Sequence, residues 1–134
     1  MAEVRLTKDS IDLCVVVRYA DKSLAFYRDL LGFKPMGEMP MPGGGTMYRL
    51  VCGTSHIKIV HPAKATTAAT PGNIMDAYGY RYFTISVSNL AEMTDACVNA
   101  GHKVVVAPVE VRPGVTISIV EDPDGNLVEF LQAS

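Results

Sequence analysis

Leu24-Ala25-Phe26-Tyr27-Arg28-Asp29-Leu30-Leu31-Gly32-Phe33 and Glu121-Asp122-Pro123-Asp124-Gly125-Asn126-Leu127-Val128-Glu129 are the two stretches on which the fold reading turns. In the first, Leu24, Tyr27, Leu30 and Leu31 recur at helical spacing and form one apolar stripe. Gly32 ends that helix because glycine accepts the left-handed conformation, and Asp21 stands where an N-cap is expected. In the second, Pro123 suits the first position of a turn and Gly125 tolerates positive φ, so the segment joins two strands.

Working outward, Ile11–Val17 is β-branched and apolar and reads as a buried strand. Residues 33–46 are rich in Pro, Gly and Met and predict a short strand and a mobile loop. Met47–Val51 and His56–Val60 are strands joined by a turn at Gly53-Thr54-Ser55. Pro62–Gly79 lacks periodicity and reads as a connection. Beyond it Tyr82–Val87 is a strand, and Asn89 with Glu92 forms a plausible capping box. Leu90, Met93, Cys97 and Ala100 give a second helical stripe, stopped by Gly101. Lys103–Ala107, Val115–Glu121 and Leu127–Leu131 are the closing strands. The chain therefore reads β-α-β-β-β twice. Asp12 and Tyr82 are 70 residues apart, and Lys58 and Glu129 are 71 apart. Matching spacings argue for a duplicated module.

With 134 residues the chain is one domain, on a rough expectation of about 150 residues each. Module 1 spans about 10–62, a connection about 63–79 and module 2 about 80–132. It is 49% hydrophobic with net charge −2, enough for a core and without the basic clusters that nucleic acid or an anionic membrane requires. No apolar run approaches the roughly 20 residues of a bilayer-spanning helix, and the N-terminus has no signal-like pattern. Cys14, Cys52 and Cys97 are an odd, scattered set without a Cys-x-x-Cys, which predicts reduced, packed thiols and a cytoplasmic location.

The two quoted motifs, at their separation and within a duplicated βαβββ order, closely resemble the vicinal oxygen chelate superfamily. Its members include glyoxalase I, bleomycin-resistance proteins, extradiol dioxygenases, methylmalonyl-CoA epimerases and fosfomycin-resistance enzymes. The resemblance covers nearly the whole chain. It implies an α+β fold in which two βαβββ modules form a cupped, half-barrel cavity, and a homodimer. It also implies metal ligands on the first and last strands of each module, carried here to Asp12, Lys58, Tyr82 and Glu129. A metal-binding relative has His or Gln, Glu, His and Glu at those places, and only Glu129 matches. Lys58 offers a protonated amine without an acceptor, and Tyr82 a phenol with an ordinary pKa of about 10. No cofactor is expected, and a divalent metal is disfavoured.

Strand alternation puts Cys14 and Val16 with Asp12, His56 and Val60 with Lys58, Thr84 and Ser86 with Tyr82, and Leu127 and Leu131 with Glu129. Opposite them lie Leu13, Val15, Val17, Ile57, Ile59, Phe83, Ile85, Val87, Val128 and Phe130, all apolar and suited to the helices. Asp12, Lys58, Tyr82 and Glu129 are the candidate catalytic set; His56, Cys14, Thr84, Met47 and Arg49 are candidate ligand contacts. Alternation does not decide which side Arg49 takes. Lys58 reads either as an acid–base or oxyanion-stabilising group, or as a structural counter-ion to Asp12 or Glu129. A shifted metal site from Asp12, His56 and Glu129 is the remaining option. His61 and His102 are expected on the surface. Met36, Met39, Met41 and Met47 suggest an adaptable apolar lid or simple loop anchoring.

Three functions stay open at this level. The sequence leans to a metal-independent enzyme performing isomerase-, lyase- or cyclase-type acid–base chemistry on a small, partly apolar oxygenated substrate. A non-catalytic, small-molecule- or antibiotic-binding protein is the alternative, and a metal-dependent glyoxalase or dioxygenase with a shifted site is the third.

Overall fold

The computed structural model describes residues 3, 5–64, 67 and 74–134. Two compact units divide the chain, Met1–Thr66 and Thr67–Ser134. Each is a four-stranded sheet with a helix against one face, an α+β arrangement repeated twice. Among the described residues no helix is long and apolar enough to cross a membrane.

In the first unit β1 (Leu13–Val16) is followed by α1 (Ala20–Leu24), which continues as a π-helical segment, Ala25–Leu30. β2 (Lys34–Pro40), β3 (Thr46–Cys52) and β4 (Ser55–His61) complete a sheet of order β1-β4-β3-β2, with β1 parallel to β4 and the other pairs antiparallel. The helix begins one step earlier than its expected cap. Tyr19, extended at φ −127 and ψ 108, precedes it, and Asp21 lies in the first turn, where its charge still suits the helix dipole. The π-helical turns explain why the apolar stripe differs from the expected one. The Leu31 N–H reaches back to the Phe26 carbonyl at 2.9 Å, and this wider winding brings the adjacent Phe26 and Tyr27 both inward, each 0% exposed. Their rings meet edge to face at 4.8 Å. Leu30 and Leu31 are only half-buried.

The glycine-rich loop after β2 is closed by hydrogen bonds from the Met41 N–H to the Gly45 carbonyl (3.1 Å) and from the Gly44 N–H to the Met41 carbonyl (3.0 Å). Gly45 has φ +91, and a Cβ there would sit 2.5 Å from the His61 carbonyl oxygen. Gly45→Ala therefore combines a disfavoured backbone with a backbone clash. It is expected to destabilise the chain by about 1–3 kcal/mol, read as a lowered urea midpoint.

The second unit opens with a 3-10 turn at Ile74–Asp76 and continues with β5 (Tyr82–Ser86), α2 (Leu90–Asn99), β6 (Val104–Arg112), β7 (Val115–Glu121) and β8 (Leu127–Ala133). Sheet order is β5-β8-β7-β6, with β5 parallel to β8. Of the expected connection, residues 65–66 and 68–73 lie outside the described residues. The capping box at Asn89 forms only partly: its Nδ2 donates to Glu92 Oε2 at 2.8 Å, but its side chain accepts no backbone N–H. The Leu90 N–H instead donates to Gln132 Oε1 on β8 at 2.8 Å, a cap supplied from 42 residues away. β6 runs five residues past its expected end and pairs with β7 through register shifts.

Asp122 anchors the β7–β8 turn. It is 4% exposed and accepts the N–H groups of Asp124 (2.9 Å) and Asn126 (2.8 Å) and the Asn126 Nδ2 (2.9 Å). Asp122→Ala strands these donors and is expected to cost about 2–3 kcal/mol, with Asp122→Asn recovering part of it in the same unfolding measurement.

Candidate functional site

On each sheet the expected alternation is visible on the first strand. Val15 and Val17 are buried while Asp12, Cys14 and Val16 are exposed. Phe83, Ile85 and Val87 are half-buried while Tyr82, Thr84 and Ser86 are exposed. The helix takes one face and leaves the other to carry polar groups.

In the first unit the parallel β1–β4 register makes Cys14 the partner of Lys58, and the antiparallel β3–β4 register makes Arg49 the other partner of Lys58. Residues paired across strands share a face, so one row runs Cys14, Lys58, Arg49, Gly37. This decides the side of Arg49 that sequence alternation left open. The next row carries His56, Val51 and Lys34; the row on the other side carries Val16, Val60, Met47 and Met39. A cleft of about 210 Å³ opens at the β2–β3 edge, bordered among others by Arg28, Gly37, Tyr48 and Arg49.

Asp12 lies just before β1. Its Oδ1 accepts the Lys8 ammonium at 2.6 Å and the His56 backbone N–H at 2.8 Å. The Lys8 ammonium first, then the His56 N–H, hold its carboxyl below the ordinary value of 3.8. The expected counter-ion pairing of Asp12 with Lys58 is thus replaced by one with Lys8, and the His56 backbone rather than its ring meets the carboxylate. Asp12 clips the chain before β1 to the start of β4, aided by the Ser10 hydroxyl donating to the Thr54 carbonyl at 3.0 Å. A depressed carboxylate stabilises the fold while ionised and loses that contribution as pH falls through its folded-state value. The stability difference between wild type and Asp12→Asn is therefore expected to be full above pH 5 and to shrink as pH drops below about 4, followed by urea midpoints.

In the second unit β5–β8 pairing sets Thr84 opposite Glu129, and β7–β8 pairing sets Ile119 on Glu129's other side. Glu129 is 9% exposed, and the Thr84 hydroxyl donates to its Oε1 at 2.6 Å. Among the described residues it is paired with no cation. Tyr82 lies one row away, opposite Leu127, and is 46% exposed. The 70-residue repeat maps the Cys14–Lys58–Arg49 row of the first unit onto the Thr84–Glu129–Ile119 row of the second. One row is cationic, the other anionic.

The three thiols are free, but Cys14 is exposed rather than packed. Burial pushes the Cys97 thiol up to about 11, which makes it inert at neutral pH. His61 and His102 are half-buried rather than exposed, and burial lowers the His102 pKa against the opposing pull of Asp122. Met36 and Met39 are exposed on β2, and Met41 and Met47 are half-buried.

In the first unit one carboxylate is already taken by Lys8 and His56, and its companion Lys58 is an ammonium without a lone pair. In the second unit a phenol accompanies a single carboxylate. Among the described residues no three His, Cys, Asp or Glu side chains gather to hold a metal ion. These residue types do not fit a tight first-row metal site, which needs several deprotonated oxygen or imidazole donors.

Each unit thus combines a β-α-β-β-β order with a row of polar groups on the helix-free sheet face. The chain belongs to the glyoxalase/bleomycin resistance protein/dioxygenase superfamily, whose family model matches residues 10–130. It is 31% identical over 120 residues to a probable lactoylglutathione lyase of Synechocystis sp., covering 85% of this chain and 87% of that protein. The structure of a glyoxalase family protein from Bacillus cereus superposes with TM-score 0.82 at 19% identity, covering 99% of this chain and 98% of that one. A fosfomycin resistance protein of Listeria monocytogenes, solved with Mn(II) and sulfate, has TM-score 0.69 at 13% identity, covering 97% and 95%.

Proposed function

We propose that this chain is an enzyme that acts on a small oxygenated molecule by acid–base chemistry of the lyase or isomerase type, without a bound metal. Glu129 carries this reading. An ionised carboxylate is costly to bury without a cation, and the Thr84 hydroxyl supplies only one of the hydrogen bonds it can accept. A proton-transfer role gives a reason for keeping the carboxyl there. Thr84 orients the group, and Tyr82 one row away offers a hydroxyl to substrate. Asp12 is assigned a positioning role, since its Oδ1 is committed to Lys8 and His56. The relative named a probable lactoylglutathione lyase supports lyase chemistry for this chain.

The test is incubation of the protein, before and after exhaustive chelation, with lactoylglutathione and a panel of small hydroxy- and oxo-compounds, products being read by NMR. Conversion that survives chelation is the expected result. A compound bound but recovered unchanged would point to sequestration. Conversion lost on chelation and restored by a divalent ion would overturn metal independence.

A further inference from the structure

We infer that the face carrying Lys58 is an oxyanion-binding site for a ligand whose carboxylate or phosphoryl group Lys58 and Arg49 grip together. It goes beyond the acid–base reading of Glu129 and does not rest on it. Lys58 and Arg49 are direct partners across antiparallel strands, which brings their Cβ atoms to about 5 Å of one another on one face. Like charges placed directly opposite are destabilising, and both side chains are half-buried, where screening by water is reduced.

Glu38 on β2 borders the same cleft as Arg49 but forms no ion pair with it among the described residues. Among the described residues neither cation has an ion-pair partner. The neighbours in their row are Cys14 and Gly37, one a neutral side chain and the other none. The row beside it adds Lys34 on β2 and His56 on β4. The carboxylate closest along β1, Asp12, is occupied by Lys8 at 2.6 Å. Gly37 takes φ +127 at a register shift in β2, leaving the flank of Arg49 without a side chain beside it. A strand pair that keeps two opposed cations, neither ion-paired among the described residues, and an open flank suits a ligand with two or more charged oxygens. A planar guanidinium can take two of them at once, and the ammonium a third.

The test uses inorganic phosphate and acetate as separate probes, titrated into the intact protein at constant ionic strength against chloride, with backbone amide shifts as the readout. At least one probe is expected to saturate, with the largest shifts in β3 and β4 around Arg49 and Lys58. Saturation by phosphate alone points to a phosphoryl-bearing ligand, and by acetate a carboxylate. Arg49→Gln is expected to weaken binding about tenfold or more, a loss of about 1.4 kcal/mol, and Arg49→Lys to recover part of it. Two outcomes overturn the inference: neither probe binding beyond chloride, or Arg49→Gln binding as wild type with an unchanged thermal melt. Turnover separates this from the acid–base reading. Conversion without anion binding sinks this site alone, whereas anion binding with no conversion anywhere in the panel sinks the acid–base role alone.

Discussion

Glu129→Gln is expected to lower turnover of the converted substrate by about 10²–10⁴-fold, the usual range for losing a positioned proton-transfer group. Gln keeps the volume of Glu, and its amide oxygen still accepts the Thr84 hydroxyl that now lies 2.6 Å away. The fold should therefore be nearly unaffected, and the urea midpoint of the variant should stay close to that of wild type. Loss of kcat with an unchanged unfolding transition is the expected pair of results. Retained turnover would remove Glu129 from the chemistry and leave it a buried polar group bonded to Thr84. Substituting Thr84 by Val tests the link: a positioning hydroxyl should alter the pH profile of turnover, whereas a merely structural one should alter only the melt.

Phe130→Ala, one residue further along β8, should do the opposite. Phe130 is 1% exposed and pairs in register with Ile85 and Ser118, on the face that α2 covers. Truncating a buried phenylalanine leaves a cavity and costs about 3–5 kcal/mol, read as a large drop in urea midpoint. The molecules that remain folded should retain most of their kcat, because successive strand residues face opposite ways and the Glu129 carboxylate is on the other side. A Phe130→Ala variant of normal stability would mean that the β8 register is wrong, and with it the placement of Glu129 beside Thr84.

Much of this architecture was legible in local sequence. The helical stripe before Gly32, the turn at Asp122–Asn126 and the 70-residue repeat all predict the β-α-β-β-β order that the sheets show. Three local readings shifted, one of them because a distant group displaced a local one. Asn89 and Glu92 looked like a self-sufficient cap, yet Gln132 reaches the Leu90 N–H. Asp21 looked like a cap, yet an extended Tyr19 precedes the helix. Phe26 lay off the expected stripe because a π-helical winding has no simple signature in residue spacing.

For the site the division is similar. The repeat relates Asp12 to Tyr82 and Lys58 to Glu129, the resemblance to the superfamily singles these four out, and residue type alone makes Lys58 no metal ligand while protonated. Residue type belongs to single residues and alternation to neighbours two apart, and a β-strand sets the latter without outside help. Which groups meet was decided only by tertiary structure: Lys8 rather than Lys58 beside Asp12, Thr84 on Glu129 across 45 residues, and Arg49 opposite Lys58. Hydrogen bonds and charge pairs act over a few ångströms in space. The register of non-adjacent strands, not separation along the chain, chooses their partners.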